Sequence, residues 1–426
     1  MRPILSISFL ATLGLAVMPA AAQSPPPGLL PPSITGRPVP EAVTPVAASV
    51  PKQPSIARFQ NLQNYPPDTA STVLGMRAAA EWLAKRQQPQ GRFLFGVNPA
   101  LRTPIDGDSD YRQALATWAV CQAANFTADE KLTACGGQAV LGLLALTKDD
   151  PADATCKTPT LLPTGGNPVG FAAALALSIY SLPTADPKLL AEAEKLCGFL
   201  RKQVQADGSV ACGDDADAVN VYPGLALQAL AASRRVRPEA AKDAVLAKSL
   251  AQYRTKFKAA PHANFAGTMI PAAAEFCLET KDANAAGMVF EMADWLCAAQ
   301  YGKADGQHVL WAGAFRTDSL PAATEPGFES AHAVRGLAAA CQLIRQGVPD
   351  LTRYPKYRAA AVEGLAFTRG LQFTVENTGH FMADFRTQYL LGGVRTALTD
   401  GNIRADATAL AGLAFQRFLE SGAEQQ

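Results

Sequence analysis

Residues 169–182 read VGFAAALALSIYSL, and this stretch decides the fold. Phe171, Ala172, Ala173, Leu175, Leu177 and Ile179 leave no polar stripe at helical spacing. A helix that is apolar all round is enclosed by protein on every side. The run is too short to cross a bilayer, so its neighbours must be other helices. Further along, Ala226-Leu227-Gln228-Ala229-Leu230 and Gly336-Leu337-Ala338-Ala339-Ala340 repeat the small, apolar composition in later helical patterns. The patterns between them carry more Lys, Arg and Glu. Small residues let inner helices approach closely, and charged ones suit an outer layer facing water.

Apolar periodicity predicts twelve helices over 72–87, from Asp108-Ser109-Asp110 through Cys121, and over 127–147, 169–182, 187–204, 216–233, 238–258, 267–280, 283–300, 326–345, 354–373 and 404–421. The third opens with Thr127-Ala128-Asp129-Glu130, which reads as a capping box in which Glu130 reaches back to the first amides. Connections leaving odd-numbered helices are long, polar and rich in Gly, Asp and Pro. Those leaving even-numbered helices are tight, as at Phe126-Thr127, Thr184-Ala185, Val236-Arg237 and Lys281-Asp282. That asymmetry predicts an all-α fold, an α/α toroid of six helix hairpins with the even-numbered helices inside and one elaborated face. His380 to Leu398 departs from the helical pattern and contains Gly392-Gly393, so a small β-hairpin-like insertion is expected before the last helix.

The start of the chain has a different character. Met1-Arg2, the apolar run from Ile4 to Met18 and Ala20-Ala21-Ala22 read as a signal peptide over 1–22. Residues 23–67 hold twelve of the 31 prolines and read as a disordered linker or tether, leaving 68–426 for the ring. The expected location is therefore outside the cytoplasm, periplasmic or extracellular, with association to the cell envelope open. No later segment is long and apolar enough to cross a membrane. At 18% charged residues and net +1, neither nucleic acid nor an anionic membrane surface is expected as main partner. Of the eight cysteines, Cys121, Cys197, Cys277, Cys297 and Cys341 sit in helical patterns and read as small core residues. Cys156 and Cys212 fall in long loops and are the first pair to consider for a disulfide.

The odd-to-even junctions share a pattern. Trp82-Leu83-Ala84-Lys85-Arg86-Gln87 precedes Gln90-Gly91-Arg92-Phe93, and Phe199-Leu200-Arg201-Lys202-Gln203 precedes Ala206-Asp207-Gly208-Ser209. Trp295-Leu296-Cys297-Ala298-Ala299-Gln300 precedes Ala304-Asp305-Gly306-Gln307. This resembles the Gln-x-x-x-Gly repeats of the prenyltransferase and squalene-oxidase group, the terpenoid-cyclase-like toroids. The resemblance spans most of 72–421 and implies a six-hairpin ring, an architecture shared with many bacterial glycosidases, polysaccharide lyases and uronyl epimerases. The catalytic motifs of the group are missing. Asp214-Asp215-Ala216-Asp217 has the wrong order for an acidic DxDD motif, and 8% aromatic residues are few for a cavity that guides carbocations. A prenyltransferase would need a Zn site and a cytosolic partner subunit, which the leader argues against. No metal site and no cofactor is expected.

Even-numbered helices point their N-termini, the positive dipole ends, to the long-loop face. Four acidic clusters arrive there: Asp106, Asp108 and Asp110 ahead of Tyr111 and Arg112; Asp214, Asp215 and Asp217; Glu325 and Glu329 ahead of His332 and Arg335; and Asp400, Arg404 and Asp406. Each cluster also reads as capping of exposed amides, worth about 0.5–2 kcal/mol with no chemistry required. Glu329, His332 and Arg335, at i, i+3 and i+6, form an acid/base pair with an anion clamp if they share one side. The catalytic candidates are Glu329, His332, Asp214, Asp215 and Tyr111. The ligand-binding candidates are Arg335, Arg395, Arg404, Trp311 and His380, the last grouped with Asp384 and Arg386. Trp118 reads as core. Two function classes remain open: a ring that binds a carbohydrate or cell-envelope polymer without catalysis, and a carbohydrate-active hydrolase, lyase or uronyl epimerase.

Overall fold

A computed structural model describes residues 55–162, 165–303, 309–317 and 325–424. The leader, most of the proline-rich stretch, Asp305-Gly306-Gln307 and His308 lie outside the described residues. Inside them, helices α1 (Pro67–Lys85), α2 (Asp110–Thr127), α3 (Glu130–Leu144), α4 (Pro168–Tyr180) and α5 (Pro187–Lys202) follow one another. Next come a short α6 (Ala216–Asn220), α7 (Tyr222–Val236), α8 (Ala240–Ala259), α9 (Ala263–Thr280), α10 (Ala283–Ala299), α11 (Ser330–Gln346) and α12 (Arg353–Gly370). A single turn, α13 (Ala383–Phe385), precedes α14 (Ala405–Ser421). Twelve of these correspond to the twelve expected from periodicity.

The inner helices close a ring. α2 packs on α4, α4 on α7, α7 on α9, α9 on α11, α11 on α14, and α14 returns to α2. α1, α3, α5, α8, α10 and α12 lie outside them, so the protein is an α/α toroid of six hairpins. Every residue of α4 from Val169 to Ile179 is buried. Removing Leu175 or Ile179 from water contributes about 1.5–3 kcal/mol each. The closest approach in the inner ring is between α9 and α11. A Cβ added at Gly267 would stand 2.3 Å from the backbone carbonyl carbon of His332, and Gly336 faces the Gly267 Cα across the same seam. Two glycines are what allow that spacing.

Several local expectations are revised by the geometry. The capping box at 127–130 resolves into two separate devices: Ala128 ends α2 in the left-handed region, and Asp129 caps α3 by accepting from the Lys131 and Leu132 amides. With Asp129 as N-cap, Glu130 is the first residue of α3 rather than the third, the position from which a capping-box acid reaches back. The sixth expected helix breaks at Val221 into α6 and α7, because Pro223 starts a new helix more readily than it continues one. The junction between α8 and α9 spans only 260–262, so one odd-to-even connection is short. Ordered structure also reaches into the stretch expected as tether: Ser55–Phe59 and Leu62–Asn64 form 3-10 turns, and Phe59 is buried against Phe126. All eight cysteines are free thiols, and Cys156 donates to Asp153 at 3.2 Å rather than meeting Cys212.

Two small sheets decorate the long-loop face. β1 (Gly96–Asn98) is central in a three-stranded antiparallel sheet between β2 (Thr103–Pro104) and β5 (Ile403–Arg404). β3 (Thr147–Asp150) and β4 (Asp153–Pro159) make a hairpin in the connection from α3 to α4. The hairpin-like insertion before the last helix is present at 394–404, where Arg395 bridges Ile403 and the Thr396 amide donates to Asn402. Its first half is helical instead, with α13 running into a π-helical turn at Arg386–Leu390.

Candidate functional site at the mouth of the ring

Six inner N-termini meet at the long-loop face, and their first residues build a polar mouth over the alanine-rich bore. Tyr111 is the second residue of α2 and Tyr222 the first of α7; their rings meet edge-on with centroids 4.8 Å apart. They meet over Gly170 of α4, where a Cβ would stand 2.5 Å from the Tyr222 ring. Both phenols are raised above their ordinary value, first by burial and then by acidic neighbours including Asp217. Neither supplies a phenolate near neutrality. They are hydrogen-bonding and stacking groups.

Three carboxylates surround the tyrosines. Asp406, in the first turn of α14, is 4% exposed and is held by two guanidiniums: Arg404 grips it with Nε at 2.9 Å and with Nη2, and Arg112 Nε lies 3.2 Å away. Both arginines stack over Phe95, at 5.3 and 5.5 Å, and Arg404 also covers Phe328 at 5.2 Å. Glu329 and Asp217 have no ion pair among the described residues. Burial pushes the Glu329 carboxyl up; Arg404 opposes, and Asp406 and Asp217 add to the rise. Asp217 is exposed at the rim. Its carboxyl is raised by partial desolvation, then by Asp215 and Asp406, with Arg112 and Arg404 opposing. One carboxylate clamped by arginines beside two unpaired, raised carboxyls is an arrangement suited to proton transfer near a bound polar ligand.

The residues expected from sequence distribute over three places. Glu329, Tyr111 and Arg404 lie at the mouth. His332 and Arg335 follow Glu329 one and two turns deeper along α11, where Arg335 still interacts with Tyr111. They are 5% and 2% exposed. The His332 imidazole is lowered to about 3 by burial, then by Arg335 and His262. Arg335 is lowered to about 9 by burial and by Arg417; it bonds Gln228 at 3.1 Å and lies 4.7 Å over the Trp118 ring. A neutral histidine with this environment is a poor base at neutral pH. Asp214 is exposed, and Asp215 caps α6 by accepting from the Ala218 amide at 2.8 Å. Asp217 couples to both tyrosines of the mouth, and Asp215 to Tyr222.

The other candidates lie away from the centre. Trp311 packs edge-on against Tyr301 at 5.3 Å. Arg395 and His380 line a separate cleft with Asp400. Asp108 and Asp110 are taken up by Arg92, at 2.9 and 2.6 Å, and Glu325 anchors the Thr399 amide at 2.8 Å. Among the described residues no group of acids, histidines and cysteines is arranged to hold a metal ion. Tyr222 was not among the sequence candidates. The signal that marks it is Pro223, which restarts a helix at the face where every other inner helix begins.

No family model matches the sequence, and no curated protein matches it. Solved structures match over most of their length. An unsaturated glucuronyl hydrolase from Bacillus sp. GL1 is 12% identical with a TM-score of 0.58, covering 81% of this chain and 96% of its own. Cellobiose 2-epimerase from Bacillus thermoamylovorans is 12% identical with a TM-score of 0.58, covering 83% and 98%. An inactive variant of an alpha-1,6-mannanase from Salegentibacter sp., in complex with alpha-1,6-mannotetrose, is 10% identical with a TM-score of 0.57, covering 82% and 99%. These are α/α toroid enzymes that act on carbohydrates, and at such identity the likeness is one of fold. Among the described residues no helix is long and apolar enough to cross a membrane.

Proposed function

We propose that this ring binds a carbohydrate, in its setting a cell-envelope or other extracellular glycan, at the mouth formed by Tyr111, Asp217, Tyr222, Glu329 and Arg404. The observation that carries the reading is the convergence of unpaired carboxyls, buried tyrosines and arginines at the N-terminal ends of the inner helices, on a fold whose solved likenesses act on saccharides. Sugars present hydroxyls to such acceptors and donors and C–H faces to aromatic rings. The leader over 1–22 and the proline-rich tether belong to the same reading, placing the ring outside the cytoplasm and holding it off the envelope. The terpenoid-cyclase-like kinship is retained as a kinship of architecture, without terpene chemistry.

A second reading is hydrolysis, and one observation favours it. Glu329 and Asp217 are both raised and without an ion pair among the described residues, and two carboxyls with divided roles, one as general acid and the other as base or nucleophile, are what glycosidic hydrolysis uses. Asp406, gripped by Arg404 and Arg112, would orient its neighbours. The mature ring incubated with neutral and uronate-containing polysaccharides in D₂O, followed by proton NMR, tests both. Line broadening of one glycan without new signals supports binding alone, and new reducing ends support hydrolysis. Silence across the panel overturns the carbohydrate reading.

A further inference from the structure

Beside the mouth lies a cleft of about 400 Å³, lined by Asn98, Phe373, His380, Phe381, Arg395 and Asn402 among others. It is joined to the mouth by the three-stranded sheet. β1 pairs with β5 so that Gly96 faces Arg404, while Asn98 and Asn402 lie at the opposite end. Two residues of strand separate the ends, about 7 Å, a gap that a single pyranose ring spans.

The cleft is built rather than incidental. Arg395 lies 5.7 Å from the Phe373 centroid and donates to the Gly370 carbonyl at 2.7 Å, while its buried Nε has no partner. His380 is exposed and packs on Phe381 with centroids 4.2 Å apart. From Phe381 a row of half-buried rings continues along the core's edge: Phe385 at 6.2 Å, then Tyr389 a further 5.3 Å on. Arginines brace the row, Arg102 over Phe385 at 5.4 Å and Arg86 over Tyr389 at 4.6 Å. The rings sit at positions 381, 385 and 389, so α13 and the π-helical turn hold them on one side. Amide-bearing Asn98 and Asn377 are fixed by their own turns, which sets the polar rim in place before any ligand arrives.

We propose that a glycan seated at the mouth continues along the β1–β5 edge into this cleft and over the Phe381–Phe385–Tyr389 row, so that the ring engages an extended run of a chain rather than one terminal sugar. The inference rests on the carbohydrate reading of the mouth. Aromatic platforms at successive sugar-sized intervals, interleaved with guanidinium and amide groups, match a neutral or weakly acidic oligosaccharide.

Isothermal titration of the purified ring with α-1,6-linked mannose and β-1,4-linked glucose oligomers of two to five units is the test. Affinity rises with length in the series that binds, by about tenfold from two units to five. Phe381→Ala flattens that rise while disaccharide affinity stays as in the wild type. The exposed His380→Ala does the same more weakly, about threefold, and guards against a folding defect in the first variant. Equal affinity at every length overturns the extended site and leaves the mouth standing. A Phe381→Ala ring that loses thermal stability but keeps the length dependence also overturns it. If no oligomer of either series binds, the reading of the mouth falls for these glycans and the extended site with it.

Discussion

Two places in the ring, the Lys242 pocket and the mouth, use charge in opposite ways. At the short-turn end, Lys242 is buried, 3% exposed, and fully answered: Glu194 at 2.8 Å, the Arg237 carbonyl at 3.0 Å and the Ser233 carbonyl at 3.3 Å. Glu194 is answered in turn by Tyr180 and Ser233. At the mouth, half-buried Glu329 and exposed Asp217 have no ion pair among the described residues, and both carboxyls are raised by the partial loss of water and by acidic neighbours. A fold satisfies its polar groups where only stability is at stake. Groups left costly and unpaired on a rim are the ones kept for a ligand.

The contrast yields variants that break it. On the hydrolytic reading the largest effect falls on turnover: Glu329→Gln or Asp217→Asn lowers kcat by about 10²–10⁴, measured by reducing-end release, while far-UV circular dichroism is unchanged. A loss under twofold would remove both residues from acid/base work. In the Lys242 pocket the penalty is structural. Glu194→Gln leaves the buried Lys242 ammonium with only the more distant Glu239, at 3.8 Å, as counter-charge and costs about 3 kcal/mol in chemical denaturation, with saccharide affinity untouched. Gly267→Ala drives a methyl into the His332 carbonyl, and because backbone cannot yield cheaply the seam between α9 and α11 loosens by about 1–3 kcal/mol.

A smaller effect concerns pH. The His332 imidazole is lowered to about 3 in the fold and returns to its ordinary value, about 6.5, when unfolded. The unfolded chain therefore takes up the proton first, and stability falls as pH drops from about 6.5 toward 3. His332→Asn removes that part of the slope, so the wild-type and variant unfolding curves converge or cross with acidification. Parallel curves would mean that His332 does not titrate differently in the two states.

Much of this architecture was legible in the chain. The all-apolar 169–182 run and the alanine-rich 226–230 and 336–340 stretches mark inner helices because enclosure on all sides leaves no place for a polar stripe. The site was legible in part. Glu329 stands out as an acid at an inner helix start, but periodicity places His332 and Arg335 on its side without giving their depth. Asp214, Asp215 and Asp217 look alike in sequence; which one caps α6 and which one faces the tyrosines depends on where the helix begins. Tyr222 escaped because the break at Val221 is set by tertiary packing and by Pro223 together. The aromatic row at 381, 385 and 389 has helical spacing and escaped because Gly392-Gly393 made the segment read as a β-hairpin.

The most direct test of the central contrast is thermal unfolding of Glu329→Gln at pH 8 and at pH 4, read beside glycan affinity. A carboxyl raised by burial contributes stability while protonated, below its unfolded value, and loses that contribution as pH rises through its folded value. The neutral amide escapes the loss. The account predicts a variant more stable than wild type at pH 8, by on the order of 1 kcal/mol, with the gain gone at pH 4 and glycan affinity or turnover diminished. A variant less stable at pH 8 that still binds and turns over glycan as the wild type does would show that Glu329 serves the fold, and the mouth would lose its claim to be the working face.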